Sequence, residues 1–573
     1  MHDRIAAVLS HGFSACSSRE RQTARFAVAA SLVSALLFAA GCGSSSPPAS
    51  TGADSPPAST GADSERTTAA AKGPLDNLTW NSPYGEPPSL DYIQAAYYPG
   101  VTIVTNVCDQ LFKTDQRTGE VRPSLATDVR QESPTRLVYT IRQDVKFWDG
   151  TTLGPKDVVA SLTRSMSDPK SGEGAFFRNV ESIEQTGADE VTITFSAPDP
   201  MFRWEMENAV MGTIASADYM EAKGDAFGTP TGGIMCSGPY KVAKWSPGNE
   251  IVLAVNPDYW DKTVKPLAET VTFKFVTNSP SLVNALLSGA IDGSFEVPPA
   301  AISLLQDSDQ GTLTFGPSTQ EWIIIPISGP LKDARVRRAW SLAIDRAAIL
   351  KTAFAGQGNV VTTFAPPTTW GYGEAVFQAA ASEIPGASPD LATAKELVAE
   401  AGSAAKAPIV LAIQGDSQVQ QQIGTAVQAA ARNIGLNVQL RAVTAEAISN
   451  AELNASAREG IDALLFANYF NIADPLDEVF FFVGSDKELA YLNLLGYENA
   501  TVNGLLDQAA QEPYGDKRAT LYMQAEAQWI GKDQAFIPLV NPAAIAYGSK
   551  RITGWPTVFP YYSYPWAGYV GAP

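Results

Sequence analysis

The side chains that most often carry chemistry are scarce in this chain, and their positions decide what it can do. Its only histidines, His2 and His11, lie near the N-terminus. Arg19, Arg21 and Arg25 follow, then the apolar run Phe26–Ala40, then Ala39-Ala40-Gly41-Cys42. A basic region, a short apolar run and small residues before a processing site describe an export signal. The run falls short of the roughly 20 residues that span a membrane. Residues 1–41 are therefore expected to be a signal peptide, removed together with both histidines. Without histidine, Ser-His-Asp and Cys-His nucleophilic machinery is excluded, as are histidine metal sites. No metal or other cofactor is expected, no catalytic residue is assigned, and the chain is not expected to be an enzyme. A hydrolase would need a carboxylate pair in a cleft. Acids are too numerous for any pair to stand out in the sequence.

Of the four cysteines, Cys16 leaves with the leader and Cys42 stands at the processing site. Cys108 and Cys236 remain, and in an oxidising compartment they are expected to form a disulfide. Two free buried thiols are the alternative. Four of the 41 Lys and Arg and two of the 60 Asp and Glu precede Cys42, leaving 37 against 58 and a net charge of −21. So acidic a surface repels phosphate backbones, and nucleic acid is not expected as a partner.

The elements that must position any site follow from the patterning. Residues 46–54 and 55–63 are the same nonapeptide, SPPASTGAD, in tandem. Such composition buries no core, and residues 42–74 are expected to form a flexible tether. Beyond it, Leu137/Tyr139/Ile141, Val191/Ile193/Phe195, Ile251/Leu253/Val255 and Val271/Phe273/Phe275 alternate with polar neighbours as half-buried strands do. Val336, Trp340, Ala343, Ala347 and Leu350 fall on one helix face, with Asp333 placed to cap it. A second helix is expected to begin at Ser388-Pro389-Asp390, with Ser388 as its cap and Pro389 in its first turn, and to stop at Gly402. Strands and helices in this irregular order indicate an α/β fold with several sheets. Arg335, Arg337 and Arg338 read as a solvated helix face, and Trp148, Trp245 and Trp260 as core rather than ligand contacts.

Two resemblances sharpen this. Ala39-Ala40-Gly41-Cys42 resembles the bacterial lipobox, with Ala39 where leucine is usual, which implies lipidation of Cys42. The stretch PSLATDVRQESPTRLVYTIRQDVKFWDGTTLGPKDVVASLTRS at 123–165 resembles the extracellular solute-binding proteins of the peptide/nickel class. SGPYKVAKWSPGNEIVLAVNPDYWD (237–261), SLVNALLSGAID (281–292), PLKDARVRRAWSLAIDRAAIL (330–350), APPTTWGYGE (365–374) and NIGLNVQL (433–440) follow in family order. The resemblance implies a two-lobed periplasmic-binding-protein-like α/β fold with the ligand cleft between the lobes. Lobe one would hold 75–313, with an extra subdomain at about 116–225; lobe two would hold 314–537; and 538–573 would return to lobe one. The crossings would fall near 314–316 and 537–539. It further implies a monomer, tethered to the outer face of the cell membrane by its lipid, that hands a small molecule or peptide to the permease subunits of an ABC importer.

In peptide-binding members an aspartate four residues before an Asp-Pro proline grips the peptide amino group. Here Asn468-Tyr469-Phe470-Asn471 precedes Asp474-Pro475, so an amide, Asn471, stands in that place. Residues 407–431, where dipeptide binders carry an arginine for the peptide carboxylate, contain no Arg or Lys. An amide does not neutralise a buried ammonium, so the ligand expected is a longer, blocked or otherwise neutral solute, or a sugar. The bland alternative for Asn471 is that it holds its loop. Asn468, Tyr469, Phe470 and Asn471 are the first candidate cleft residues, then Trp370 and Tyr372, then Tyr97 and Tyr98. A lipoprotein of the same fold acting as sensor or scaffold is the rival function.

Overall fold

A computed structural model describes residues 66–95, 98–207 and 211–573, the side chain of Tyr98 excepted. The expected signal peptide, Cys42 and the nonapeptide repeat lie outside these residues.

Two large sheets organise the chain. One has seven strands in the order Gly311–Gly316, Ala544–Ser549, Gly293–Phe295, Leu75–Asn81, Ala268–Lys274, Glu250–Val255 and Tyr240–Ser246. The other has six: Gly358–Val360, Ile537–Pro542, Gln320–Pro326, Ala463–Tyr469, Ile409–Gln414 and Val438–Val443. A separate four-stranded sheet, Ala126–Ser133, Arg136–Ile141, Glu190–Phe195 and Val180–Gln185, forms a subdomain of the first lobe. Leu137, Tyr139, Ile141, Val191, Ile193 and Phe195 face one core as the period-two pattern requires, and Val138 and Thr192 on the opposite side are buried as well. The run Trp322-Ile323-Ile324-Ile325 does not alternate because its strand is covered on both faces. Ile323 and Ile325 join one core of the second lobe, and Trp322 and Ile324 the other.

The chain leaves the first sheet after Gly316, enters the second at Gln320, and returns between Pro542 and Ala544. The return therefore lies beyond the 537–539 crossing expected from sequence: Ile537 and Pro538 pair with Ile324 and Ile323 inside the second sheet. Hydrogen bonds tie the two crossings together. Asn541 Nδ2 donates to the Ser318 and Gln320 carbonyls at 2.7 and 2.6 Å. The Phe559 amide donates to the Pro317 carbonyl at 2.9 Å.

The remaining differences from the sequence expectations have local causes. Thr67 and Gly73 bridge to Pro556 and Ala572, so residues 66–74 belong to the folded body rather than to the tether. The helix read through 336–350 is two, Ala334–Ala343 and Arg346–Ala353. Ile344 is extended, and the Asp345 carboxylate caps the second by accepting from the Ala348 amide at 2.9 Å. Asp390, not Ser388, caps the helix Leu391–Ala401. Arg337 is not on a solvated face. Its buried guanidinium donates to the carbonyls of Leu331, Lys332, Asp533 and Gln534. Cys108 and Cys236 are joined by a disulfide, S–S 2.03 Å, within the first-lobe core.

Candidate functional site

A cavity of about 80 Å³ lies where the lobes meet. Trp204 and Glu207 wall it from the first lobe, Thr319 from a crossing, Asn471 and Tyr514 from the second lobe, and Phe559 from the return segment. Arg66, at the start of the described chain, also lines it. Burial pushes the Glu207 carboxyl up to about 7 against the Thr114 hydroxyl and the Arg66 charge, which act the other way. Ligand pockets commonly enclose hundreds of Å³, so a whole peptide enters only if the lobes part.

Asn471 is presented by the turn that follows the strand Ala463–Tyr469. That turn is rigid because Asp474 accepts from the Leu476 amide at 2.9 Å, from Arg518 Nη2 at 2.6 Å and from the Tyr372 hydroxyl at 3.1 Å. Asp474 and Arg518 are fully buried, a paired charge at the base of the loop. Asn471 itself joins the lobes. Its Oδ1 accepts from the Tyr562 hydroxyl at 3.0 Å, and its Nδ2 donates to Glu478 Oε1 at 3.2 Å. The Asn471 and Ile472 amides both donate to Asp477 Oδ2.

Four acids converge beside this amide. Glu173 precedes the short helix Gly174–Phe177, and Glu205 ends the helix Phe202–Glu205, both in the first-lobe subdomain. Asp477 and Glu478 stand in the first turn of the second-lobe helix Leu476–Phe482. The Phe176 ring meets Phe481 edge-on at 5.5 Å, so the two lobes pack at this point. Glu205 and Asp477 face each other closely enough to share a proton. Burial is the largest cause pushing each of the four carboxyls up, and their mutual repulsion adds to it. Glu173 reaches about 8 and Asp477 about 7.

The residues named from sequence divide. Asn471 lines the cavity, and Tyr469 lies at the junction, its ring edge-on to Phe559 at 6.0 Å. Phe470, Trp370 and Tyr372 are core instead. Phe470 packs on Phe364, Trp370 stacks on Phe377 at 5.4 Å, and the Tyr372 ring is enclosed above the Asp474–Arg518 pair. Asn468 is buried opposite Glu321 in the ladder between Gln320–Pro326 and Ala463–Tyr469. Tyr97 is outside the described residues; Tyr98 begins the helix Tyr98–Val104. Glu173, Glu205, Asp477, Glu478 and Tyr562 were missed. The sequence did carry a signal, since Glu205 in MFRWEM and Asp477-Glu478 in PLDEVFFF are acids set in apolar runs.

The model of the bacterial extracellular solute-binding proteins, family 5, matches residues 120–488. The oligopeptide-binding protein AppA of Bacillus subtilis is 24% identical over 493 residues, 80% of this chain and 85% of its own length. The glutathione-binding protein GsiB of Escherichia coli K12 is 24% identical over 429 residues, covering 73% and 80%. The solved structure of the PBP AgaA in complex with agropinic acid, from A. tumefaciens R10, superposes with a TM-score of 0.73 at 23% identity. That superposition covers 87% of this chain and 99% of that one.

Proposed function

This chain belongs to the bacterial extracellular solute-binding proteins of family 5, and on that premise we propose that it captures a peptide or peptide-like solute and hands it to the permease of an ABC importer. One observation carries the proposal: the cavity lies at the junction of two lobes whose backbone, among the described residues, is continuous only through the short crossings at 317–319 and 543. A solute touching Asn471 on one lobe and Trp204 or Phe559 on the other gains contacts only when the lobes close. Its binding energy therefore shifts the population towards the closed form that a permease would recognise. The relatives named for oligopeptides and for glutathione support a peptide-like solute. Binding needs no covalent step, and we assign the chain no reaction. Lipid on Cys42 and the repeat at 46–63 would hold a monomer on the outer face of the membrane with slack to reach its permease.

The test is uptake in the host. Deleting the chain is expected to abolish accumulation of a labelled peptide pool, and restoring it to recover uptake. Unchanged accumulation would retire the import role in favour of a scaffold.

A further inference from the structure

We propose that the cleft selects a solute carrying at least two positive charges, an oligoamine or a peptide rich in Lys or Arg, held by Glu173, Glu205, Asp477 and Glu478. The proposal rests on the solute-capture function above and specifies the ligand class.

The geometry begins with satisfaction. Glu205 is 1% exposed, and its carboxyl oxygens have no hydrogen-bond partner among the described residues other than the Asp477 carboxyl with which Glu205 can share a proton. Glu173 Oε2, in a residue 8% exposed, has no partner among the described residues, and Asp477 Oδ1, in a residue 3% exposed, has none besides Glu205. Buried acceptors are normally satisfied, and a buried carboxylate normally has a cation. Of the other buried aspartates, Asp91, Asp292 and Asp474 have an arginine each, Arg164, Arg551 and Arg518, while Asp109, Asp157 and Asp199 accept from neutral donors such as Ser237, Ala217 and Asn179. The quartet at the junction has no cation among the described residues. The guanidinium groups nearby in sequence are engaged with rings, Arg178 over Phe480 at 4.8 Å and Arg203 over Trp204 at 4.6 Å. Glu321, Glu452 and Glu526 of the second lobe and Glu207 of the first also lack an ion pair among the described residues, though Glu526 accepts from the Phe364 amide and Glu207 from the Thr114 hydroxyl.

Position supplies the second argument. Two of the four acids come from each lobe. They stand behind the cavity wall rather than in it, reached through Asn471, which lines the cavity and donates to Glu478, while Arg66 and Glu207 are the charged residues in the lining itself. Tyr469 and Tyr562 add aromatic rings at the same junction. Acids from opposite lobes repel when ionised and hold the lobes apart. A polycation between them reverses the sign and draws them together, so one charge pattern both selects the solute and drives closure. The amide at 471 alone pointed to an uncharged ligand; its carboxylate neighbours change that expectation.

The experiment is calorimetric titration of the full chain with trilysine, spermine and trialanine. Trilysine or spermine is expected to bind at least tenfold more tightly than trialanine. The E205Q/E478Q variant is expected to lose at least tenfold in affinity for the cation while melting, ligand-free, at the wild-type temperature or above. A lower melting temperature with unchanged affinity would assign these acids to structure and overturn the proposal. Trialanine binding as tightly as the cations would overturn it while leaving solute capture intact. Heat with none of the three would overturn the cationic class, and the uptake assay then decides separately whether import stands.

Discussion

Glu205 of the first lobe and Asp477 of the second meet across the interlobe junction as two buried acids close enough to share one proton. Glu173, Glu478, Asp199 and Asp474 are further acids around them, and Tyr469 and Tyr562 face them from the second lobe and the return segment. Arg178 and Arg203, on the subdomain side, are occupied by aromatic rings.

A pH dependence of stability follows from Glu173 and Asp477 in this cluster. Glu173 at about 8 and Asp477 at about 7 hold protons in the folded chain that the unfolded chain releases near the usual 4.5 and 3.8. The folded form therefore binds more protons across that interval, and its stability falls as pH rises through it. Ligand-free melting scans from about pH 5 to about pH 8 are expected to show a steeper loss for wild type than for E173Q/D477N. Parallel curves would mean that these groups titrate normally.

Cation binding has the opposite pH dependence. A polycation binds the ionised quartet, so trilysine affinity is expected to rise across the same window and to level off above it. Binding near neutral pH releases protons, which calorimetry detects by repeating the titration in buffers of different ionisation heat. Affinity that falls with rising pH would contradict this.

Tyr372 was read from sequence as a ligand contact, and the structure makes it a support. Its hydroxyl donates to Asp474 and accepts from Arg518 Nε at 3.0 Å. Tyr372→Phe is expected to cost about 1–3 kcal/mol in a denaturant titration, because it leaves buried partners short of a hydrogen bond. Solute affinity should stay within about twofold of wild type, since a stability loss of a few kcal/mol still leaves most chains folded. A tenfold affinity loss without a stability loss would return Tyr372 to the cleft.

The disulfide gives a simpler expectation. Cys108 and Cys236 are 128 residues apart, so their link removes much freedom from the unfolded chain. Cys108→Ser is expected to lower stability by about 2–5 kcal/mol. Reductant should lower the melting temperature of wild type and leave the variant unchanged. A reductant-insensitive wild type would exclude a stabilising role.

Much of the fold was legible because it rests on local pattern. Period-two alternation located the strands at 137–141, 191–195 and 251–255 and the one around Val271 and Phe273, which ends at Lys274 and leaves Phe275 outside it, and Asp333 caps its helix as its position suggested. The break at Ile344-Asp345 was not legible, because the apolar spacing runs unbroken through it while Asp345 caps a new helix. Arg337 read as exposed because the carbonyls that hold it include those of Asp533 and Gln534, almost two hundred residues away. The site was partly legible: the Asn471 loop was found from its Asp474-Pro475 turn. The acids around it come from three separate segments, and no spacing in the sequence brings Glu173 and Glu205 to Asp477. Trp370 and Tyr372 failed as site residues for a general reason, since large aromatics fill cores and clefts alike.

The most direct measurement compares the mass of the full chain, purified from its own host, under native and denaturing conditions. The expected result is a discrete non-covalent mass excess that disappears on denaturation, identifies as a polycationic solute, and is lost in E205Q/E478Q. A chain that carries no excess, and acquires none after incubation with peptide and amine pools, would contradict solute capture in the cleft.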